Sequence, residues 1–273
     1  MRLALPLVLG LTALLAAADE EVSLKFNWRA GQEVRYQVRV EGQIIQDDKP
    51  LQSLWYQGLW IRRITAVDRE GVASFQATTQ NLERSEGFWI YDFGGYASGF
   101  ETGGRIKPNG QIIEVEHAPE GAPEYWSLLI FPDQPVPMGG AWRFRPPAEQ
   151  LVQQLGMKAQ GEVIYRLSER VRYKSRTCLK ISRESRYQVG YDPRNEFRNL
   201  KIETRGTIWF DELAGNLVDA EIQEIYRAQR VSGGKSQPGE NEPSEDSDHT
   251  PPESGEKTHR ISAKAKITFT LTR

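Results

Sequence analysis

The sequence predicts an all-β protein in which curved antiparallel sheets form a sandwich or an open half-barrel, with one or two short helices. Three observations lead to this prediction. Apolar and polar side chains alternate with a period of two in most segments after residue 22, as in strands with one buried face. Short loops that contain glycine separate these segments and favour antiparallel hairpins. Ten Phe, ten Tyr and seven Trp supply large apolar side chains for a core.

The first 18 residues have the layout of a secretory signal peptide. Arg2 precedes an apolar run, and the alanines at 16–18 precede Asp19-Glu20-Glu21, which is typical of an A-x-A cleavage site. A membrane anchor is the alternative, but a bilayer span needs about 20 apolar residues and this run is shorter. We therefore expect the mature protein, residues 19–273, to be exported to the periplasm or the extracellular space and not to span a membrane.

A proline-rich connector at residues 131–141 divides the mature chain into two β-rich halves, residues 22–130 and 142–273. Its three prolines remove amide donors, so the connector is neither a helix nor a central strand. Its apolar side chains, together with Trp142 just beyond it, predict that it docks on both halves. We therefore expect one domain over residues 19–273 with an internal seam, not two independent domains.

In the first half, alternating side chains and turn residues predict a series of antiparallel strands. An alternating run at residues 34–41 is followed by strands at 54–67 and 72–80, which a four-residue loop ending in Gly71 joins. Further on, Lys107-Pro108-Asn109-Gly110 places proline at the second turn position and Asn-Gly after it, which is a strong hairpin signal. One helical turn or so is expected shortly before the connector, at residues 124–130.

The second half repeats two patterns of the first. Residues 161–167 are similar to residues 31–38, and the hairpin at 206–221 is similar to the hairpin at 104–116. Two ordered similarities on either side of one connector favour duplicated halves. The alternative is that any two amphipathic hairpins look alike. Residues 150–155, which end at a glycine, predict the clearest short helix.

Residues 232–257 are predicted to be a disordered acidic loop. They consist mainly of Ser, Gly, Pro, Asp and Glu, without a large apolar side chain, and cannot bury enough surface to offset their ordering entropy. The alternating residues 261–271 beyond the loop predict a final strand that pairs with a long strand at 217–231. The loop is thus an insertion between paired strands, and a calcium-binding or partner-binding arm is the functional alternative.

The histidines predict neither a metal site nor a catalytic base. His117 points to the opposite strand face from Glu114 and Glu116, so no local ligand cluster forms. His249 and His259 lie in or beside the acidic loop, where nothing in the sequence pre-organises them. We therefore expect a protein that is not an enzyme and holds no metal and no cofactor.

Other candidate groups have structural explanations. Cys178, the single cysteine, lies in a strand-like run without a nearby histidine, as expected of a packed thiol. Asp211 is the most tempting carboxylate, and capping of a hairpin turn explains it. With a formal net charge of only -2, the chain gives no case for nucleic-acid binding. Pairs such as Arg35-Tyr36 predict a sheet with tyrosine inside and arginine outside, and an arginine-lined face that meets an anionic surface is the alternative.

The order of short motifs resembles a widespread group of uncharacterised exported bacterial β-proteins. The shared motifs are a P-V-x-x-G-x-x-W connector, here Pro135 to Trp142, and a G-x-[IF]-x-F-D-x-x-x-G hairpin, here Gly206 to Gly215. Gly139-Gly140 stands where that group often has Gly-Asp, and the acidic loop is an addition. The resemblance implies an exported β-protein without an established activity. The long curved strands are also similar to the half-barrels of periplasmic lipoprotein carriers, which is a similarity of fold only.

These observations predict an exported, non-enzymatic binding module. We expect a hydrophobic or amphiphilic ligand, such as a lipid, on the concave face of a curved sheet. Packing in the core is the alternative role for the aromatic residues of that face. A structural or protein-interaction component of the bacterial cell envelope is the alternative function, and a hydrolase whose acids assemble only in the fold is a third. The predicted ligand face consists of six aromatic residues: Trp55, Trp60, Phe88, Trp89, Tyr91 and Phe93.

Overall fold

The protein is described by a computed structural model that covers residues 20–85, 101–116, 128–148, 158–190, 197–232 and 257–272. The strands of these described residues are β1 Glu21–Val22, β2 Glu33–Gln46, β3 Lys49–Val67, β4 Ala73–Arg84, β5 Glu101–Ile106, β6 Ile112–Glu116, β7 Val136–Pro137, β8 Ala141–Phe144, β9 Ala159–Tyr173, β10 Arg176–Val189, β11 Phe197–Asp211, β12 Asn216–Ser232 and β13 Lys257–Thr272.

One antiparallel sheet contains eleven of these strands, in the order β6-β5-β4-β3-β2-β13-β12-β11-β10-β9-β8, while β1 and β7 form a separate pair. The order begins at β6 and ends at β8, so the sheet is not closed. This confirms the predicted all-β class and, of the two expected architectures, the open one. The helix predicted at residues 150–155 lies outside the described residues, as does most of the turn predicted at 124–130.

The predicted hairpins are present. Gly71 and Gly110 have positive φ angles of 81° and 89° in the turns that precede β4 and β6. β12 and β13 pair from Ser232 opposite Lys257 onwards, which confirms that the predicted acidic loop joins two paired strands. Residues 233–256 of that loop and residues 1–18 of the predicted signal peptide lie outside the described residues.

The hydrogen bonds of two consecutive residues, Phe26 and Asn27, show that the sheet curls into a half-barrel. The amide of Phe26 donates to Pro108 O at 2.7 Å, in the β5–β6 turn, and the amide of Asn27 donates to Gly215 O at 3.3 Å, in the β11–β12 turn. These hairpins are six places apart in the sheet, which is about 29 Å if the sheet were flat. Neighbouring Cα atoms are only about 3.8 Å apart, so the sheet must bend to bring both turns to one short segment.

The inner face of the half-barrel carries the core. Every second residue of β2 from Val34 to Ile44 is buried except Gly42, which faces the same way, and the residues between them are mostly exposed. The main cluster continues across β3 and β8–β13, and Val22, Leu24 and Phe131 pack against it from outside the sheet. A smaller cluster of six buried residues lies at the β4–β6 end: Ile64, Ala73, Phe75, Ala77, Ile106 and Ile112.

The sheet contains two units with the same strand pairing. The first unit is β2–β6 and the second is β8–β12, and each strand lies six places from its counterpart. Gly31 N donates to Ile64 O at 2.8 Å in the first unit, and Gly139 N donates to Leu167 O at 2.8 Å in the second. Both glycines have positive φ angles, 81° and 83°.

Two of the register shifts in each unit lie at corresponding places. The β3–β4 pairing shifts register just after Ile64, and the β9–β10 pairing shifts just after its counterpart Leu167. The β5–β6 pairing shifts between Arg105 and Ile106, and the β11–β12 pairing shifts between Trp209 and Phe210. Bulges re-aim side chains, so these two matched pairs of shifts redirect side chains at corresponding places in the two units. The shifts at Ile44/Ile45, Gln57/Leu59 and Arg198/Lys201 have no counterpart in the described pairings.

This correspondence differs from one of the two sequence similarities. Residues 161–167 belong to β9, which lies five places from β2 and therefore runs antiparallel to it. The counterpart of Gly31 is Gly139, so the second unit begins inside the connector at 131–141. The motif Gly31-Gln-Glu-Val-Arg-Tyr matches Gly139-Gly-Ala-Trp-Arg-Phe in sequence. An ancient duplication of the halves stays a prediction.

The connector is held by the sheet and by β1. Trp142 is 9% exposed, its Nε1 donates to Ile130 O at 2.7 Å, and its ring stacks on Tyr165 with centroids 5.3 Å apart. β7 pairs with β1 through Val22 opposite Val136. The connector is therefore a packed part of the fold.

Candidate functional site

A partly enclosed cavity of about 50 Å³ lies on the inner face of the first unit. Aromatic and aliphatic side chains from β2, β3, β5, β6 and β12 line it, and the segments at residues 26–28 and 128–129 cover it. Arg62 is the one charged residue among its described lining. Ligand sites commonly combine such apolar walls with few polar groups. We call this space, together with its lining residues, the Arg62 cavity.

Strand pairing places the groups of this cavity. Tyr36 lies opposite Trp60, and Val34 lies opposite Arg62, where β2 pairs with β3. Residues of one parity point to one face of a strand, so Trp60, Arg62 and Ile64 share the inner face. The cavity therefore exposes an arginine where the strand pattern calls for an apolar residue.

The guanidinium of Arg62 is stacked between two rings. Its Cζ lies 4.5 Å from the centroid of Trp60 and 4.7 Å from the centroid of Phe75. The residue is 7% exposed, so the charge has lost most of its water. Each cation–π contact contributes about 0.5–2 kcal/mol, with the larger values for desolvated pairs. The two rings hold the charge in a fixed position beside the cavity.

Trp60 differs from Trp28 and Trp142 in the hydrogen bonding of its indole. Its Nε1 is buried and donates to no acceptor in the described part of the chain. By contrast, Trp28 Nε1 donates to Lys107 O at 3.2 Å, and Trp142 Nε1 donates to Ile130 O at 2.7 Å. A buried donor without a partner costs about 1–3 kcal/mol, which a ligand acceptor would recover.

Tyr36 completes the polar groups of the cavity. Its hydroxyl donates to Leu217 O at 3.2 Å. Burial raises the pKa of Tyr36 well above its usual value, although the charge of Arg62 opposes this shift. The phenol therefore stays neutral, and Arg62 remains the source of charge at the cavity.

An aromatic cluster adjoins the Arg62 cavity, which two of its members, Phe26 and Trp28, line. Phe26 stacks on Trp28 with centroids 4.7 Å apart and meets Phe210 edge-on at 5.3 Å. Phe131 meets Phe210 at 4.9 Å. The segment at residues 26–28 thus joins the first unit, the connector and the second unit at one point.

The second unit carries a different polar group on its inner face. Arg183, which is 5% exposed, donates to the hydroxyl of Thr204, and that hydroxyl lies 2.7 Å from Ser185 Oγ. Glu224 is 3% exposed, and its Oε2 accepts a hydrogen bond from the Tyr226 hydroxyl at 2.5 Å. Burial raises the pKa of Glu224 to about 7, while the charge of Arg183 lowers it. We define these five residues as the Glu224 cluster.

The structure separates two members of the predicted ligand face. Trp55 and Trp60 are five residues apart in β3 and lie on opposite faces of the sheet. Trp55 is on the outer face and is 44% exposed, whereas Trp60 lines the Arg62 cavity. The other four members, at 88, 89, 91 and 93, lie outside the described residues.

The remaining candidate groups have structural partners. Asp211 Oδ1 accepts a hydrogen bond from the amide of Ala214 at 2.9 Å, which confirms its predicted role in the hairpin turn. Cys178 is buried, and burial followed by the charge of Asp211 raises the pKa of its thiol. Contrary to expectation, His259 is positioned, because its Nδ1 lies 2.7 Å from Asp47 Oδ2.

The described residues offer neither a metal cluster nor a membrane-spanning helix. No group of three or more His, Cys, Asp or Glu within the described ranges could hold a metal ion. No helix in the same ranges is long and apolar enough to cross a membrane. His117 and His249 lie outside these ranges.

Three inner-face residues were missed by the sequence interpretation, although a signal for each was present. Arg62, Arg183 and Glu224 each interrupt the apolar phase of a strand, as in Ala220-x-Ile222-x-Glu224-x-Tyr226. A charged side chain on a buried phase is costly unless it is paired, so it marks a site of interest. Aromatic density alone does not contain this information.

Neither a family model nor a curated protein matches the sequence. A solved structure described as lipid-protein interactions in lipovitellin is similar over 90% of this chain, with a TM-score of 0.45 and 9% sequence identity. The present chain spans 26% of that lipovitellin chain, about a quarter of its length.

Proposed function

We propose that the protein is an exported, non-enzymatic binding module that holds a hydrophobic or amphiphilic ligand on the concave inner face of its sheet. The observation that carries this proposal is the Arg62 cavity. It combines aromatic walls, one buried cation fixed by Trp60 and Phe75, and an indole N–H that finds no acceptor among the described residues. Apolar walls with few polar groups favour a ligand that is mostly apolar.

The size of the cavity limits what it holds. Ligand pockets commonly measure about 300–1,000 Å³, whereas this cavity measures about 50 Å³. A space of about 10–15 Å³ already admits one water molecule. We therefore expect the cavity to take one end of the ligand, with the remainder in contact with other parts of the inner face.

Two measurements test this function. Native mass spectrometry of the protein purified from exporting cells should detect a co-purifying amphiphile. A thermal-shift panel of single-chain and two-chain lipids should raise Tm for at least one class, because a ligand that binds only the folded state stabilises it. Absence of a co-purifying lipid together with no shift across the panel would overturn the proposal.

A second candidate, a protein-interaction component of the cell envelope, is favoured by one observation on the outer face. Leu51 and Trp55 share that face of β3 and are 57% and 44% exposed. A photo-crosslinking residue at position 55 tests this function in exporting cells. Reproducible crosslinks to one envelope protein would support it, and crosslinks that disappear in washed envelopes would exclude it.

A further inference from the structure

We infer that the Arg62 cavity binds the carboxylate end of a single-chain fatty acid, with the Trp60 indole N–H and the Arg62 guanidinium as its recognition groups. This inference rests on the proposed binding function and specifies the chemistry of the bound end. Its starting point is the contrast among three tryptophans. Trp28 and Trp142 donate to backbone carbonyls, while the buried Nε1 of Trp60 has no acceptor within the described chain.

A donor of this kind needs an acceptor. The indole nitrogen donates and never accepts, so only an acceptor atom satisfies it. Trp60 lines the cavity, and the Tyr36 hydroxyl opposite it on β2 is engaged with Leu217 O. A ligand oxygen in the cavity therefore supplies what the described protein lacks.

The charge of Arg62 specifies an anion. The rings of Trp60 and Phe75 stack on the guanidinium, and its N–H donors lie in its own plane, where they suit a carboxylate. Hydrogen bonds to a charged group are roughly twice as strong as neutral ones. A negatively charged end is therefore preferred to a neutral one.

Cavity size and charge favour a carboxylate over a phosphate. A carboxylate is small, planar and carries one negative charge, which matches one guanidinium and a space of about 50 Å³. A phosphate monoester is larger and carries about two negative charges at neutral pH. The remaining described lining is apolar or uncharged, including the neutral phenol of Tyr36, and suits the first methylenes of an alkyl chain.

The test compares dodecanoate, dodecanol and dodecyl phosphate with the full mature protein. Binding is measured by isothermal titration below the concentration at which each compound aggregates. Dodecanoate should bind at least tenfold more tightly than dodecanol, because only the carboxylate forms charged hydrogen bonds. Equal affinities, or tighter binding of dodecyl phosphate, would overturn the carboxylate inference while the binding function stands.

Two conservative variants locate the site. Trp60→Phe keeps a ring beside Arg62 but removes the N–H, and we expect about a fivefold to tenfold loss of dodecanoate affinity and a clearly smaller loss for dodecanol, whose neutral oxygen accepts a weaker hydrogen bond. Trp55→Phe, on the exposed outer face, is the matched control and should change neither. Arg62→Lys keeps the charge but loses the planar fork, and it should weaken dodecanoate binding by a similar factor.

The variants also separate the two levels of the proposal. A Trp60→Phe variant that loses both ligands equally would mean that the ring acts by packing alone, which contradicts the inference. Dodecanoate that binds wild type and both variants with one affinity would place its carboxylate elsewhere. No binding of any of the three compounds would count against this inference, and combined with an unresponsive lipid panel it would end the proposed function as well.

Discussion

The two units of the sheet each place a buried arginine in the same cross-strand pair, on opposite members of that pair, and surround it differently. Arg62 lies opposite Ala77 across β3 and β4, and Arg183 lies opposite Tyr165 across β9 and β10. These two pairs occupy corresponding positions in the two units. Arg62 stands where the second unit has Tyr165, and Arg183 stands where the first unit has Ala77. Arg62 packs between two rings beside a cavity, whereas Arg183 donates to the Thr204 hydroxyl near a buried carboxylate.

This difference separates two ways of keeping a cation inside a β half-barrel. The rings of the first unit stabilise the charge through their faces, and a cavity of about 50 Å³ remains next to it. The second unit uses hydroxyl groups and Glu224, whose titration makes the arrangement sensitive to pH. We expect ligand binding to depend on the first unit, and the pH dependence of stability to depend on the second.

The substitution with the largest expected effect on stability, Trp142→Ala, tests whether the two units form one folding domain. Trp142→Ala should lower the free energy of unfolding by about 3–5 kcal/mol, because it removes a buried ring that stacks on Tyr165 and donates to Ile130 O. Differential scanning calorimetry should record a single transition at a lower temperature. Trp55→Ala, on the exposed outer face, is the control and should change stability by well under 1 kcal/mol.

A different result would change the comparison itself. If Trp142→Ala produced two transitions, with one at the wild-type temperature, the units would unfold independently. The connector would then be a linker between domains, in spite of the β1–β7 pairing that ties it to the N-terminal segment.

The second effect isolates the Glu224 cluster. The folded-state pKa of Glu224 is about 7, above the ordinary 4.5, so the folded protein holds this proton more tightly than the unfolded chain does. Stability from this group is therefore full below pH 4.5 and is lost as pH rises through about 7. The loss amounts to about 3 kcal/mol at most. Glu224→Gln should remove it and stabilise the protein at pH 8.

Urea unfolding at pH 5 and pH 8 measures this change. Wild type should be less stable at pH 8 from this contribution, and Glu224→Gln should reduce the difference between the two values. Glu221→Gln is the matched control, because Glu221 lies on the same strand with a half-exposed side chain near Lys266. An identical pH dependence in wild type and Glu224→Gln would mean that Glu224 is ionised in the folded protein at both values.

The third effect compares the arginines directly. Arg62→Met should cost about 1–2 kcal/mol through the lost cation–π contacts, with little change between pH 5 and pH 8. Arg183→Met should cost about 2 kcal/mol more at pH 8 than at pH 5, because Glu224 loses its nearby cation when it is ionised. Equal pH dependence in the two variants would contradict the proposed division between the units.

The sequence allowed the local structure to be predicted better than the assembly. Period-two alternation and the turn glycines predicted β2, the hairpin at Lys107-Pro108-Asn109-Gly110 and the final strand, because these features depend on neighbours in the chain. The pairing of β2 with β13 joins residues more than 200 positions apart, such as Val40 and Ile267. No local pattern specifies such a pairing, and none specifies the long-range hydrogen bonds of Phe26 and Asn27 that reveal the curvature.

The candidate site was predicted only in part for a related reason. Trp60 was chosen for its aromatic character, and it does line the cavity, but Trp55 was grouped with it although their odd spacing places them on opposite faces. The phase of each strand contained the better signal, since Arg62 and Glu224 stand in buried phases. Their partners, such as Phe75 for Arg62, come from neighbouring strands and required the register.

The substitutions with the smallest expected effect on stability, alanine at Gly31 and at Gly139, test whether the two units are structurally equivalent at their first turns. Gly31 and Gly139 have φ angles of 81° and 83°, and a Cβ at either position would meet nothing within 4 Å. Alanine therefore adds backbone strain without a steric clash, at about 1 kcal/mol for each position. Gly31→Ala and Gly139→Ala should lower the unfolding free energy by the same amount within about 0.3 kcal/mol, and the double variant should show the sum because the sites are far apart in the sheet.

Gly58→Ala is the control for this comparison, because a Cβ there would make only ordinary contacts of 3.5–3.6 Å and the residue has no positive φ. It should leave stability unchanged or raise it by about 0.4–1 kcal/mol, since alanine restricts the unfolded chain. Unequal losses at Gly31 and Gly139 would mean that one of the two turns relaxes when strained. Both glycine amides donate to counterpart carbonyls at 2.8 Å, so these hydrogen bonds would not explain a difference between the turns. The difference would then come from the neighbouring strands, which would hold one turn less firmly than the other.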